Sequence, residues 1–233
     1  MDTDRPFEGE QDDAASEPGV NEKYLQAKQD SVDRARRKGQ TGEHPREAQR
    51  LPPGQRLVTG FPVLDLGIQP AFDPATWTFN IDGEVENPVR WSWEDWKALP
   101  RVEAVADFHC VTHWSKYDVE WAGVAWSTVL EIVKPKDTAK FVLMACGDRY
   151  TTNVPFAETL EGDVLLADTL YGEPLPLEHG GPVRMIIPGL YAWKSAKFLQ
   201  AIRFSESDAP GFWEVRGYHN HGDPWREQRY SDY

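Results

Sequence analysis

A chain of 233 residues, 40% hydrophobic and 12% aromatic, has apolar material for one substantial core or two small ones. Residues 1–56 hold 12 acidic and 10 basic side chains, so 11 of the 13 net negative charges fall on 57–233. That surface repels nucleic-acid phosphates and excludes a nucleic-acid partner, and no run nears the ~18–20 apolar residues of a membrane span.

The first fifty residues are rich in Glu, Asp, Lys, Arg and Gln and poor in large apolar side chains. Such a composition buries too little surface to offset ordering entropy. Asn21 to Lys38 contains good helix formers and is followed by Gly39. Residues 1–56 are therefore expected to be a charged extension, disordered alone or docked as a helix, with His44–Pro53 as a linker. The start, Met1 to Asp13, has neither the basic opening and apolar stretch of a secretory signal nor a twin-arginine pair. A cytoplasmic location is the expectation from that.

From Leu57 the pattern becomes that of one folded domain, 57–233. Thr76–Ile81 alternates like a half-buried strand, Asp82–Gly83 marks a turn, and Val85 resumes the alternation, which predicts a hairpin. Pro88–Trp91 reads as a short strand. Ser92 with Asp95 three residues on forms a capping pair for a helix over Trp93–Leu99, ended by Pro100, with Trp93 and Trp96 on one core face. Arg101–Phe108 reads as a strand leading into His109 and Cys110. Val124–Val133 fits a helix closed by Pro135, and the apolar run Phe141–Cys146 a central strand. Tyr150–Pro155, Val164–Tyr171 and Val183–Pro188 read as further strands, and Lys194–Phe204 moves from loop into strand. The tail Pro210–Tyr233 carries no periodic core pattern. Many short strands with few helices predict an α+β fold of mixed sheets or a partly closed barrel.

The two cysteines, Cys110 and Cys146, are not expected to pair in an intracellular chain. The densest chemical cluster runs from Asp107 to Ser115 and sets Cys110 between His109 and His113. Three chemistries use such a cluster. A thiolate nucleophile would pair with an imidazole. A Zn or Cu ion would take Cys110 with His109 or His113 and with His219 or His221. The third emerges from a resemblance.

Phe108–Thr112, Trp114–Ser115 and Trp121–Val124 resemble the cysteine loop of the molybdopterin-binding oxidoreductases. That superfamily contains sulfite oxidase and the catalytic subunit of the bacterial methionine-sulfoxide reductase. A second stretch, Glu178–Arg184 followed by Pro188, Tyr191 and Trp193–Phe198, resembles the family's pterin-phosphate segment. Gly211–His219 and Asp223–Arg226 are similar to the closing segments of its small single-domain members. The resemblance covers roughly 57–230 and leaves out the extension. It implies a molybdenum–molybdopterin (Mo-MPT) cofactor with Cys110 as the protein thiolate on the metal, since Mo favours several soft sulfur ligands. It further implies pterin contacts from His109 and His179, a phosphate clamp from Arg184, a point charge from Lys197, and backbone N–H groups at Ser195 and Ala196. Cys146 falls near a position lining the cofactor pocket and is expected to pack beside the site; Trp114, Trp121 and Tyr191 could wall a substrate pocket. Of the two loop lysines, Lys194 and Lys197, at least one is expected to be ordinary surface charge, and Arg184 has the alternative of a solvent-facing strand position.

The implied activity is oxygen-atom transfer on a small sulfur- or nitrogen-containing substrate, with an external one-electron carrier such as a cytochrome, a quinone or a membrane haem subunit. A non-catalytic pterin-binding module is the alternative within the same fold. Sulfite oxidase proper follows its cysteine with an arginine-containing run, whereas Cys110 is followed by Val111, Thr112, His113, Trp114, Ser115 and Lys116. The missing arginine pair argues against sulfite as the substrate.

Overall fold

The computed structural model describes residues 22, 23, 25–27, 30, 50–160 and 164–231. Most of the proposed extension, including much of the Asn21–Lys38 helix, lies outside the described residues. Those described between 22 and 30 are helical, and Leu25 is half-buried against the core.

Two mixed sheets carry the fold. In the first, β5 (Trp114–Ala125) is the spine. It pairs along one edge with β4 (Val102–Cys110) and along the other with β1 (Arg56–Leu57) and β8 (Leu165–Leu170). Beyond β8 lie β9 (Glu173–Pro174) and β10 (Arg184–Ile186). The second sheet has the order β3 (Val89–Ser92), β2 (Thr78–Gly83), β11 (Leu199–Ser205), β6 (Phe141–Cys146), β7 (Thr151–Pro155). Among the described strand pairs only β1–β5 and β2–β11 run parallel. The described sheets are open, with two short α-helices, α1 (Trp93–Ala98) and α2 (Trp126–Val133). The α+β expectation of mixed sheets with few helices holds.

Several boundaries moved. The hairpin after β2 returns through β3, while Val85 bridges Pro135. The reason is local: Glu86 and Asn87 donate their N–H groups to Lys134 and Val133 carbonyls, drawing the connection toward the end of α2. Val124 and Ala125 belong to β5, so α2 begins at Trp126, whose N–H bonds Val164 O at 3.0 Å. β5 itself went unpredicted as a strand. Its polar residues Asp118 and Glu120 are exposed while Val119 and Trp121 are buried, a strand period of two. The capping pair is present: Ser92 Oγ accepts the Asp95 N–H at 3.2 Å and Asp95 accepts the Ser92 N–H at 2.9 Å. Trp96 is fully buried and Trp93 half-buried; the Trp96 indole donates to Asp168 Oδ2 at 2.6 Å, which ties α1 to β8.

The linker end is anchored. The Arg50 guanidinium bonds both oxygens of Asp107 (2.6 and 2.7 Å), reaches Asp118, and lies 4.0 Å over the Tyr117 ring. The tail, although aperiodic, is held by a buried network. Lys194 Nζ pairs with Glu214 Oε1 at 2.6 Å and bonds Asn153 O at 2.6 Å. Glu214 also accepts from Thr152 Oγ1 and the Trp193 indole, each at 2.9 Å. Lys194 is wholly buried, so it is not surface charge. Its replacement by Met strands a buried carboxylate and is expected to cost about 3–5 kcal/mol, on the order of 10 °C in melting temperature. Adding Glu214→Leu should recover most of that loss; an additive double variant would contradict the pairing.

Candidate active site

Cys110 is the last residue of β4 and pairs with Trp114 across a tight connection in which His113 takes a left-handed conformation (φ 68°). Strand alternation decides what each neighbour does. Phe108 and Cys110 line a cleft that encloses about 780 Å³ including its open mouth, whereas His109 is buried, is not among the cleft's lining residues, and bonds Ser115 Oγ at 2.8 Å through Nδ1. Burial pushes the His109 pKa down to about 4, so the ring is neutral. The Cys110 Sγ lies 3.1 Å from Thr112 Oγ1, a hydroxyl able to donate to a thiolate.

The other flank of the cleft comes from the segment between β9 and β11. Arg184, the first residue of β10, is buried. Its two terminal nitrogens donate to His179 O (2.7 Å) and Ser195 O (2.9 Å). Its carbon centre lies 5.1 and 5.4 Å from the Phe108 and Trp121 ring centroids. Nε has no partner, and no carboxylate forms an ion pair with Arg184 among the described residues. The solvent-facing alternative for Arg184 is thus excluded by its 3% exposure. Burial pulls its pKa down to about 9, which leaves the guanidinium charged at neutral pH. An uncompensated buried cation beside a cavity is costly unless an anion completes it.

Lys197 lines the same cleft, donates to Glu178 O at 2.6 Å and stands 3.9 Å from Asp65. Burial, with Arg184 adding repulsion, lowers its pKa to about 8. Gly180 makes this packing feasible: at φ +106° its absent Cβ would sit 2.7 Å from Lys197 Cγ. His179 lines the cleft, stacked on Phe61 at 4.6 Å, and burial together with the Arg184 charge lowers its pKa. Ser195 and Ala196 line it too. Ser195 Oγ accepts the Ile187 N–H at 3.0 Å, and the Ser195 N–H is spent on Ala192 O. That internal bond leaves Ala196 as the backbone donor of this pair, since its N–H meets no acceptor among the described residues.

Trp114 lines the cleft, but Cys146 and Tyr191 do not. Cys146 ends β6 fully buried, where burial pushes its thiol pKa well up and keeps it neutral. Tyr191 is fully buried behind the wall, stacked 5.4 Å from Trp193, which does line it. Trp121 sits beneath Arg184. Asp148, Tyr150, Trp213, Tyr218 and the 61–66 segment also line the cleft and were not singled out as site residues. Only Trp213 and Tyr218 had a signal, through the closing motif; the rest arrive from distant chain positions with no local pattern.

The imidazoles do not gather around the thiol. His113 Nδ1 is 2.9 Å from Gly54 O, His219 Nδ1 accepts from the His221 and Gly222 N–H groups, and His221 Nε2 is 2.8 Å from Glu158. Among the described residues no three His, Cys, Asp or Glu side chains converge, so neither the Cys–His dyad nor the Zn or Cu set forms.

A thiol and a buried cation without a carboxylate partner among the described residues thus share one cleft. Residues 66–213 match the oxidoreductase molybdopterin binding domain, and the chain belongs to that family of molybdopterin oxidoreductases, within the sulfite oxidase superfamily. It is 44% identical over 183 residues to the uncharacterized oxidoreductase YuiH of Bacillus subtilis, covering 78% of this chain and 92% of that one. It is 31% identical over 160 residues to the protein-methionine-sulfoxide reductase catalytic subunit MsrP of Campylobacter jejuni (61% of this chain, 54% of that one). The chain thus spans about half of MsrP. Among solved structures, the sulfane dehydrogenase SoxCD of Paracoccus pantotrophus shares the fold, with a TM-score of 0.55 at 22% identity over 61% of this chain and 41% of that one.

The low pKa of Lys197 carries a pH consequence. An anionic ligand in this cleft favours the protonated lysine, so its retention is expected to weaken above about pH 8 by up to tenfold per pH unit. Lys197→Met should bind more weakly throughout and lose that pH dependence. A pH-independent release rate in the unaltered protein would contradict it.

Proposed function

We propose that this protein is an oxygen-atom-transfer enzyme acting on a small uncharged S-oxide or N-oxide. In this reading Cys110 supplies the protein thiolate to molybdenum, and Arg184, Lys197, His179 and the Ala196 N–H hold the pterin phosphate. When bound, the molybdenum–pterin group supplies the two-electron redox chemistry. The observation that carries the reading is the cleft that joins the Cys110 thiol to a buried guanidinium with an unpartnered Nε. The residues present fit the group: a soft sulfur donor at one wall, and at the other a buried guanidinium that no carboxylate among the described residues neutralises.

The chain's own contribution is positioning and exclusion of water. Thr112 offers a hydrogen bond to the thiolate and so steadies its charge. Phe61, Phe108, Trp114, Trp193 and Trp213 wall the cleft with apolar surface. Lys116, the one cation in the Val111–Lys116 run after the cysteine, turns away to Thr59 O at 2.8 Å. That wall favours a neutral substrate over an inorganic dianion, and the methionine-sulfoxide reductases among the relatives suggest an S-oxide as the first to try. Electrons come from an external one-electron carrier.

The test is metal and pterin analysis of protein expressed in a cofactor-competent host, followed by turnover of methionine sulfoxide, dimethyl sulfoxide and trimethylamine N-oxide with reduced viologen. Stoichiometric molybdenum with S-oxide turnover is expected. Cofactor without turnover of any of these would leave a pterin-binding module in place of an enzyme, and absence of molybdenum would defeat the reading outright.

A further inference from the structure

One cleft residue has no part in holding the cofactor as described. Asp148 stands in the turn between β6 and β7, is 4% exposed, and lines the cleft together with Cys110. Its Oδ1 accepts the Tyr150 N–H at 3.1 Å, which fixes the side chain. Its own backbone N–H also bonds the carboxyl, and no cation pairs with it within 4.0 Å among the described residues. The groups facing it are Lys197 and Asp65, whose charges act in opposite directions, with Cys146 and Tyr150 on the flanking strands. Burial outweighs them and raises its pKa to about 6. Held only by backbone N–H groups beside a cavity and without an ion-pair partner among the described residues, the carboxyl weakens the fold when ionised, and such groups cluster at functional sites.

We propose that Asp148 is the acid–base group that exchanges a proton with the oxygen-bearing substrate. The inference rests on the oxygen-transfer reading above. Reduction of a sulfoxide to its thioether breaks the S–O bond, consumes two electrons and two protons, and forms the two O–H bonds of water. The sulfur is reduced and two equivalents of a one-electron donor are oxidised. Asp148 gives one proton to the departing oxygen and regains one from solvent; the second proton comes from solvent. In the reverse direction the ionised carboxylate takes a proton from the incoming water.

The experiment compares the holoprotein with its Asp148→Asn and Asp148→Glu variants, using dimethyl sulfoxide and reduced viologen between pH 5 and 9. In the unaltered enzyme kcat should decline above a pKa near 6, as the acid form is lost. In Asp148→Asn kcat should fall by about 100-fold or more at pH 6, the range ascribed to general acid catalysis, with that pH limb gone and KM little changed. Asp148→Glu should restore part of the rate with a displaced limb. Molybdenum and pterin content of Asp148→Asn should equal that of the unaltered protein. Its melting temperature should exceed the unaltered one above pH 6 and approach it below pH 4, because a carboxyl with a raised folded-state pKa weakens the fold only once ionised. An unchanged kcat and pH limb in Asp148→Asn would overturn the proposal alone. Loss of cofactor from that variant would make Asp148 a cofactor anchor and overturn it equally. An unaltered enzyme inert toward every S-oxide sinks both this inference and the function it rests on.

Discussion

Cys110→Ala is expected to abolish turnover while leaving the fold intact. The side chain is small and nearly buried at the end of β4, and among the described residues its sulfur has only the Thr112 hydroxyl as a hydrogen-bonding partner. Truncation therefore removes little packing, on the order of 1 kcal/mol, and the β4–β5 pairing does not depend on it. A residue whose role is packing would lower stability in proportion to any lost activity. Here the two readouts should separate: a melting curve shifted by a few degrees, a circular dichroism spectrum unchanged, and viologen-linked S-oxide turnover at background. Cys146→Ala supplies the contrast. That thiol is deeply buried outside the cleft lining, so its loss should cost stability by a similar amount and leave most activity. Turnover surviving in Cys110→Ala, or vanishing in Cys146→Ala with cofactor still bound, would contradict the assignment.

Arg184→Met should empty the site. The guanidinium is the one cation that is both buried and without a carboxylate on this wall, and its Nε is unsatisfied. Hydrogen bonds to a charged partner contribute about 1.5–3 kcal/mol each, so losing the clamp on a phosphate should weaken cofactor retention by roughly 100-fold or more. The fold should respond much less. Methionine abandons two carbonyl bonds, to His179 O and Ser195 O, but it also relieves the desolvation of a buried charge, and these terms oppose one another. Arg184→Lys keeps a charge but loses the planar fork whose two terminal nitrogens span the His179 and Ser195 carbonyls, so an intermediate pterin content is expected. Stoichiometric molybdenum and pterin in Arg184→Met, measured after gel filtration, would show that the cation does not hold the cofactor.

Much of the site was legible in linear order because its parts fall on short contiguous segments. Cys110 with its flanking aromatic residues, and the Glu178–Lys197 stretch, were each readable as motifs, and the cleft brings them together. What each side chain does there was not readable. His109 follows Phe108 and precedes Cys110, yet strand alternation turns it to the opposite face, toward Ser115 and away from the lining. At least one of Lys194 and Lys197, which share a loop, was expected to be surface charge, and neither is. The first is wholly buried on Glu214, and the second reaches the cleft. Asp148 had no motif at all; its importance comes from burial beside residues 65 and 197.

By itself the chain's order of residues determined that there would be many short strands, a short capped helix at Ser92, a buried strand at Phe141–Cys146, and a thiol set among aromatic side chains. These follow from periodicity, capping chemistry and composition, which act over a few neighbouring positions. Tertiary structure alone decided that β5 is the spine of a sheet, that Arg184 is buried without an anion, and that the thiol, the two cations and Asp148 share one cleft. Desolvation and long-range charge depend on which distant segments are packed together, and no local window of sequence contains that information.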